Sequence, residues 1–524
     1  MAITPLHARL PLEWPAAGPD PLPQGANSLR AVLAIMRGEP ATALVPNGRL
    51  DPVAIPRLPH ITARGRLALL DRLYAGAAPT DPLVIDRFID AYLLLATRGF
   101  LQIPGLSTRR RALAKATLRA VELMHLLFRD TWHRQEAIPA GWWHRFLETF
   151  RAAGEARLFT IRRPLLRARK DTTVQDAARG ILLQAAANPF AWEPELVPAL
   201  ERLLDLLASQ VLLFPAASPS AYAEGRPGRF LFDAAGDQAP IPPEGIPPAA
   251  APGRPRRWWI LDATRVLARL SEFRRHLALG VSPERVHRLL ADIPEPSRGI
   301  LLRRLERLLS RPERRTRGTG GGQTHLISGL EQTVRHGFAR RWGGTGDITT
   351  LDTQVRLQSE FGTRGGGPSP LRPWRIVDRT PCGVHLAGPT PAGPPLVGHV
   401  AGLFFNGAEQ AGSGEDFRAA IIRWQRSLPD EDEAEVGVET FPGLPEDCWC
   451  RMVRGPGSTL HEYPALLLPS CGDDGPSLLL PPGLFQPGGV ITLRTDDRDQ
   501  SAELARLLEM GVHFERVEIR LQSS

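Results

Sequence analysis

Lysine is almost missing from this chain, which has 524 residues. Only Lys115 and Lys170 are lysines, so arginine carries the basic charge, and it is spread along the whole chain among Asp and Glu. The net charge of +8 would suit a nucleic-acid partner, because basic surfaces attract phosphates. No basic stripe with interleaved aromatic residues accompanies this charge. We therefore interpret it as a solvated surface with many salt bridges, and we expect no nucleic-acid partner.

Cysteine is scarce as well, with four in the whole chain. So few cannot form a disulfide scaffold in a protein of this length. A single tryptophan separates Cys448 from Cys450, whereas paired zinc ligands usually leave two or more residues between them. We predict small buried strand residues at both positions. The scattered histidines of the same half add no ligand spacing, so the sequence indicates no metal site and no cofactor.

Long apolar runs and catalytic signatures are also missing. No apolar run reaches the ~18 residues that a membrane-spanning helix needs. The first residues lack the apolar segment that is typical of a signal peptide. No nucleophile with a partner base, no P-loop and no Rossmann fingerprint is present. We accordingly expect a cytoplasmic protein that is not an enzyme, with no catalytic residues and no membrane span.

What the chain does contain is helical periodicity over its first part. Residues 1–27 are rich in proline and predict an extended segment. From Ser28 onward, apolar residues recur at intervals of three and four, which is the period of one helix face. About seven helices are predicted over residues 28–214, the last of them over 194–214.

A connector and a second helical segment are predicted over residues 215–310. The connector is rich in proline, glycine and alanine, and it contains one predicted strand at 229–233. Helical periodicity then resumes and stops before Pro312, because proline lacks the N–H that would continue a helix.

The pattern changes after Pro312 to short apolar stretches between glycines and prolines, which is typical of small antiparallel barrels. We predict such a barrel over 311–443, interrupted by a Gly-rich insertion near 342–371. A small β-rich unit is predicted over 444–524, with a helix near 499–510. The fold class is therefore α+β, with an all-α N-terminal region, an antiparallel β-barrel and a β-rich C-terminal unit.

One short motif lies between two predicted strands, "WRIVD" and "GVHL". Asp378, Thr380 and Gly383 fit the pattern D/N-x-S/T-x-x-G. The Asp378 carboxylate can accept hydrogen bonds from guanine N–H groups, and Thr380 adds a hydroxyl. Gly383 has no Cβ, so the backbone there can approach a ligand closely. Taken alone, the pattern also fits an Asx-type turn between two strands.

A group of arginines follows the last predicted helix. Arg311 and Arg315 have the spacing R-x-x-x-R, and Arg314 lies between them. A guanidinium group can pair bidentately with phosphate or with guanine O6 and N7, and it can stack on a base. Because arginine is abundant, the same spacing also fits a solvated basic helix face.

The order of the elements around the motif resembles a PilZ domain, which binds cyclic-di-GMP. After "GVHL" come "LVGHVAGLFF", "AAIIRWQRS" and "AEVGVETF", in the order of the PilZ strands. The segments "AGWWHRFLETFRAAGEARLF" and "GLFQPGGVITLRTDD" are similar to FimW-type cyclic-di-GMP receptors, and the resemblance extends over about 28–520. These receptors have a helical N-terminal region before a late PilZ-like domain.

The resemblance implies a non-enzymatic receptor whose ligand is cyclic-di-GMP. The implied ligand-binding residues are Arg311, Arg314, Arg315, Asp378, Thr380 and Gly383. It also implies a protein partner held by the helical region, a role in type IV pilus function, surface attachment or motility, and recruitment to the cell pole.

Two departures from the PilZ pattern leave alternatives open. Thr380 replaces the usual serine, and the arginines lie further upstream of Asp378 than in ordinary PilZ domains. Arg372 and Arg375, which are close to the motif, are therefore alternative sources of the arginine contacts. The alternative function is a degenerate PilZ-like scaffold that binds protein partners without nucleotide.

Overall fold

The structure is a computed structural model. It describes residues 52–57, 62–77, 79–99, 105–166, 171–216, 227–242, 257–281, 284–310, 318–319, 321–343, 373–380, 382–391, 396–405, 417–428, 432–453, 460–470, 475–495 and 499–522. Outside the described residues lie the predicted extended segment 1–27, the first predicted helix at Ser28, residues 344–371 of the Gly-rich insertion, and Arg311, Arg314, Arg315 and Arg372.

An N-terminal helical region is confirmed. Its α-helices are α1 (Ala63–Ala77), α2 (Pro82–Leu94), α3 (Leu106–His133), α4 (Trp142–Glu155), α5 (Val174–Ala186) and α6 (Val197–Leu207). Polar side chains start two of them: Asp81 accepts a hydrogen bond from the N–H of Leu83 at 2.9 Å, and Thr173 accepts one from the N–H of Asp176 at 3.0 Å. Such caps satisfy N–H groups that lack a partner within the helix. The short strands β1 (Arg163–Pro164) and β2 (Asp171–Thr172) pair between α4 and α5.

A small sheet follows α6, and it corrects the sequence prediction for this segment. The helix predicted over 194–214 ends at Leu207, and residues 212–215 form a strand instead. The sheet has the order β3-β5-β4, with β3 (Leu212–Pro215), β4 (Arg229–Asp233) and β5 (Trp258–Asp262). The strand predicted at 229–233 is confirmed as β4. An apolar run such as "QVLLF" fits helix and strand equally well, and here the pairing with β5 decides.

The second helical segment is α7 (Thr264–Ala278), α8 (Glu284–Leu289) and α9 (Glu295–Ser310). The last of these lies on the N-terminal helical core, where its Leu301, Leu302, Leu305 and Leu309 are buried. Helix α9 ends at Ser310, directly before the arginines of the predicted site.

The first barrel is formed by strands between residues 318 and 440. They are β6 (Gly318–Thr319), β7 (Gln323–Ser328), β8 (Pro373–Thr380), β9 (Gly383–Pro389), β10 (Val400–Phe405), β11 (Phe417–Ser427) and β12 (Glu433–Thr440). The sheet order is β6-β8-β7-β10-β11-β12-β9, and the additional pairing of β8 with β9 closes it. All these pairings are antiparallel. Helix α10 (Leu330–Gly343) follows β7.

The second barrel closes with the strand order β13-β14-β15-β18-β17-β16. Its strands are β13 (Glu446–Val453), β14 (Leu460–Leu468), β15 (Ser477–Leu480), β16 (Val490–Arg494), β17 (Asp499–Met510) and β18 (Glu515–Leu521). Both barrels follow a helical region, so the predicted α+β class is confirmed. Cys448 and Cys450 are buried on β13, as predicted, and burial raises the pKa of the Cys450 thiol to about 12.

The helix predicted near 499–510 is wrong, because this segment is the strand β17. Its sequence, "DQSAELARLLEM", is rich in good helix formers. It nevertheless pairs with β16 on one side and with β18 on the other, with register shifts on the β18 side that accommodate its length. Tertiary pairing overrides a local preference of well under 1 kcal/mol per residue.

A buried carboxylate holds one loop of the second barrel. The Glu515 side chain is 3 % exposed. It accepts hydrogen bonds from the N–H groups of Gly483, Leu484 and Phe485 at 2.8, 3.0 and 2.8 Å. These bonds fix the loop between β15 and β16 against the start of β18.

We expect Glu515→Ala to lower the free energy of unfolding by about 3 kcal/mol, because it leaves three buried or half-buried N–H groups without their acceptor. Glu518→Ala on the same strand is the matched control. It removes only an exposed pair with Arg506 and should cost less than about 1 kcal/mol. Calorimetric unfolding of both variants measures the two changes in the free energy of unfolding. Equal decreases for the two variants would contradict the role assigned to Glu515.

Candidate ligand site on the first barrel

The three motif residues lie on one tight hairpin, β8–β9. Thr380 pairs with Gly383 in the strand register, so only two positions separate the paired ends of the two strands. The Thr380 hydroxyl donates to the carbonyl oxygen of Gly383 at 3.3 Å. A Cβ on Gly383 would lie 3.0 Å from the carbonyl oxygen of Val438 on β12, so a side chain has little room there. The hairpin thus brings Asp378, Thr380 and Gly383 together.

Asp378 begins a row of side chains that crosses β8, β9, β12 and β11. In the register Asp378 is opposite His385, His385 is opposite Gly437, and Gly437 is opposite Trp424. Leu386, next to His385, and Val436 and Val438, on either side of Gly437, fill the barrel core, and successive side chains of a strand alternate between faces, so the row lies on the outer face. Ile376, two residues before Asp378, also lies in the core, and the register shift between these two residues brings Asp378 to the outer face opposite His385.

The side chains of this row contact one another. His385 Nδ1 lies 3.2 Å from Asp378 Oδ2, and the two side chains are 14 % and 18 % exposed. The imidazole and the Trp424 indole have ring centroids 5.0 Å apart. A Cβ on Gly437 would lie 1.9 Å from the Trp424 Nε1, so the indole lies across the backbone of Gly437.

The sequence prediction missed His385, Trp424 and Gly437. The signal for His385 is nevertheless present, because a two-residue hairpin loop sets the register of its strands. With Thr380 opposite Gly383, Asp378 has to be opposite His385. Trp424 and Gly437 follow only from the pairing with β11 and β12, which no local pattern specifies.

The predicted arginines lie outside the described residues, but the described residues on both sides of them are informative. Helix α9 ends at Ser310, and β6 begins at Gly318. Strand β6 pairs with β8 at the motif itself, with Gly318 opposite Arg379 and Thr319 opposite Asp378. The chain that carries the arginines therefore leads from α9 to a strand beside Asp378.

Arg375, the alternative arginine within the described residues, lies exposed on β8. It pairs with Gln323 on β7 and with Ala387 on β9. A register shift between Ile376 and Asp378 separates it from the motif. Arg375 is thus an exposed cation on the strand that carries Asp378.

At its Trp424 end, the row of side chains meets the helical region. Trp424 packs against the helical core. Three residues further along β11, the N–H of Ser427 donates to the carbonyl oxygen of Gln135, and the N–H of Ala137 donates to the carbonyl oxygen of Ser427, both at 2.9 Å. The outer face beside the motif is therefore docked on the N-terminal helices.

Helix α9 is tied to the helical region by a buried ion pair. Arg304 donates to both oxygens of Glu193, at 2.8 and 2.7 Å, and Glu193 is 1 % exposed. The Arg304 guanidinium also lies 4.9 Å from the centroid of the Trp192 ring. Gly398 of the first barrel, at φ +81°, covers this pair, since a Cβ there would lie 2.4 Å from Glu193 Oε1.

A second, half-buried ion cluster joins the two barrels. Arg423 on β11 pairs with Glu439 of the first barrel at 2.5 Å and with Glu509 of the second at 2.6 Å. Burial opposes the charge of Arg423, yet Glu509 and Glu439 together raise the pKa of its guanidinium above the ordinary value. Burial likewise opposes the charge of Glu509, and Arg423 outweighs it, so the pKa of that carboxyl is lowered.

Two histidines also meet between the barrels. His399, before β10, and His513, between β17 and β18, have ring centroids 3.8 Å apart. Burial and, after it, the neighbouring His513 lower the pKa of His399 to about 4, although Glu195 and Glu193 favour its charged form. This contact is therefore formed best when His399 is neutral.

The described residues contain no group of three or more His, Cys, Asp or Glu side chains able to hold a metal ion. Within the same residues, no helix has both the length and the hydropathy that crossing a bilayer requires.

These features define the class: a multidomain α+β protein in which a helical domain is docked on two antiparallel barrels. The comparisons with known proteins show which family two of its domains resemble. Residues 57–217 match the family described as "Cyclic-di-GMP receptor FimW, N-terminal domain", and residues 448–522 match "FimW C-terminal beta-barrel domain". Over these two ranges the chain is similar to the FimW family, which confirms the resemblance there. Neither range includes the first barrel. No match was found among curated proteins or solved structures.

We expect the stability of the protein to fall as the pH is lowered from about 6.5 towards about 4, in part because of His399. Its folded pKa lies below the unfolded value, so between the two values the unfolded chain binds more protons. The contribution of His399 to the free energy of unfolding is therefore constant above its unfolded pKa. This contribution is lost progressively as the pH falls to the folded pKa.

His399→Gln should give a shallower pH dependence of the unfolding temperature than the unsubstituted chain. His461→Gln, at an exposed histidine on β14, is the control and should leave the dependence unchanged. Identical pH profiles for all three proteins would contradict the assignment to His399.

Proposed function

We propose that this protein is a non-enzymatic receptor for cyclic-di-GMP and that the ligand binds on the outer face of the first barrel. The observation that carries the proposal is the pairing of β6 with β8 beside Asp378. It brings the strand that follows the arginine segment to the hairpin with the D-x-T-x-x-G pattern. The FimW match supports the same ligand, since that family is described as a cyclic-di-GMP receptor.

The chemistry of the proposed site suits a cyclic dinucleotide. Asp378 would accept hydrogen bonds from guanine N–H groups, and Thr380 would add a hydroxyl contact. The backbone at Gly383 would lie close to the ligand. Arg311 and Arg315, with Arg314 between them, would pair with phosphate oxygens or with guanine O6 and N7.

A second source of arginine contacts is Arg375. It is exposed on the strand that carries Asp378, whereas Arg311 and Arg315 belong to the segment before β6. Arg372 directly precedes the same strand. Substituting the two arginine pairs separately distinguishes these sources.

In the proposed response, ligand contacts made by Arg311 and Arg315 act on the end of α9, which directly precedes them in the chain. Because Arg304 ties α9 to Glu193, a change at the end of α9 would reach the helical region. That region would in turn hold a protein partner. We propose the processes that the resemblance implies, namely type IV pilus function, surface attachment or motility, with action in the cytoplasm and recruitment to the cell pole.

In this proposal, different parts of the chain have different roles. Residues 28–214 form the output region after an extended segment over 1–27, and 215–310 connect it to the receptor barrel over 311–443. The unit over 444–524 supports that barrel through Arg423 and Glu509.

A scaffold that binds no nucleotide is the second candidate. The docking of β11 on the helical region favours it, because Trp424 and Ser427 make their contacts without any ligand. The two candidate functions predict different results when nucleotide is added: a receptor binds cyclic-di-GMP, and a scaffold does not.

Calorimetric titration with cyclic-di-GMP tests the proposal. Asp378→Ala and the double variant Arg311→Ala, Arg315→Ala should each weaken binding at least about tenfold, because each removes charge-assisted hydrogen bonds worth about 1.5–3 kcal/mol. Arg506→Ala on the second barrel, which removes an exposed arginine, should bind like the unsubstituted chain.

Absence of any heat with the unsubstituted protein at tens of micromolar would reject the receptor and favour the scaffold. Weakening by Arg372→Ala, Arg375→Ala, but not by the Arg311 and Arg315 pair, would move the arginine contacts to β8 and keep the receptor.

A further inference from the structure

His385 is a contact of the motif carboxylate on the outer face of the barrel. It does not belong to the D-x-T-x-x-G pattern, yet its Nδ1 lies 3.2 Å from Asp378 Oδ2. An ionised carboxylate can only accept a hydrogen bond, so Nδ1 is the donor in this contact.

The imidazole of His385 is itself held in place from two sides. Its Nε2 lies 3.8 Å from Glu435 Oε2, and Glu435 is also paired with Arg426. The Trp424 indole lies next to the ring and across Gly437. A ring packed in this way offers its N–H to Asp378 in one orientation, which lowers the entropy that ordering the carboxylate would otherwise cost on binding.

We propose that His385 is a positioning residue of the cyclic-di-GMP site, which orients the Asp378 carboxylate so that it accepts from the guanine edge. This inference rests on the proposed function of the same site. It adds a residue outside the motif and a physical reason for its effect. His385 acts through Asp378 and need not touch the ligand.

The same row gives the site a route to the helical region. Asp378, His385 and Trp424 are in contact one after another, and Trp424 packs against the helical core. A ligand that engages Asp378 therefore acts on a residue whose neighbours are fixed by the helices. Repacking at Trp424 would alter the affinity for the ligand by the same coupling.

A double-mutant cycle in cyclic-di-GMP titrations tests the positioning role. His385→Leu should weaken binding about tenfold, since it removes the hydrogen bond to a charged acceptor. In the Asp378→Ala background the same change should have an effect of less than about twofold, because the group that His385 orients is gone. His385→Asn, which can still donate, should recover part of the affinity.

The outcomes separate the inference from the proposed function. If the unsubstituted chain binds cyclic-di-GMP and His385→Leu binds it with the same affinity, the positioning role is overturned and the receptor function stands. An equal loss in both backgrounds would also overturn it, because a general disturbance of the barrel does not depend on Asp378. No binding by the unsubstituted chain would reject both. His461→Leu on the second barrel is the control for replacing a histidine, and unfolding temperatures verify that the variants are folded.

Discussion

The antiparallel pairing of β6, β8 and β9 is the constraint on which the candidate site depends. A strand that holds its partner through backbone hydrogen bonds fixes which side chains face each other, and a slip of one residue would turn all of them to the other face. With Thr380 opposite Gly383, the residues Asp378 and His385 come together on the outside of the barrel. With Thr319 opposite Asp378, the chain leaving the arginine segment reaches the same place.

Paired charges join the parts of the protein to one another. Glu193 belongs to the helical region and Arg304 to α9, while Arg423 of the first barrel pairs with Glu509 of the second. A buried charge without its partner costs about 3–5 kcal/mol, so the buried Glu193 makes the helical region depend on α9.

Local patterns predicted the class of most elements. The helical period before residue 214 and the short apolar stretches after Pro312 led to the α+β class, and the spacing of Asp378, Thr380 and Gly383 led to a turn between two strands. The predictions for two segments were wrong, for opposite reasons. The apolar run at 212–215 continues a helical pattern but pairs with β5, and the helix-forming residues of 499–510 lie in a strand that pairs on both sides.

The sequence alone determined the helical N-terminal region, the change to strands, the motif hairpin and, through its two-residue loop, the contact of Asp378 with His385. These depend on periodicity and on residues close together in the chain. Only the tertiary structure decided that Trp424 lies beside His385, that Arg304 meets Glu193, and that Arg423 joins two barrels. The partners in these contacts are far apart in sequence, and their meeting depends on how whole domains pack, which no local pattern encodes.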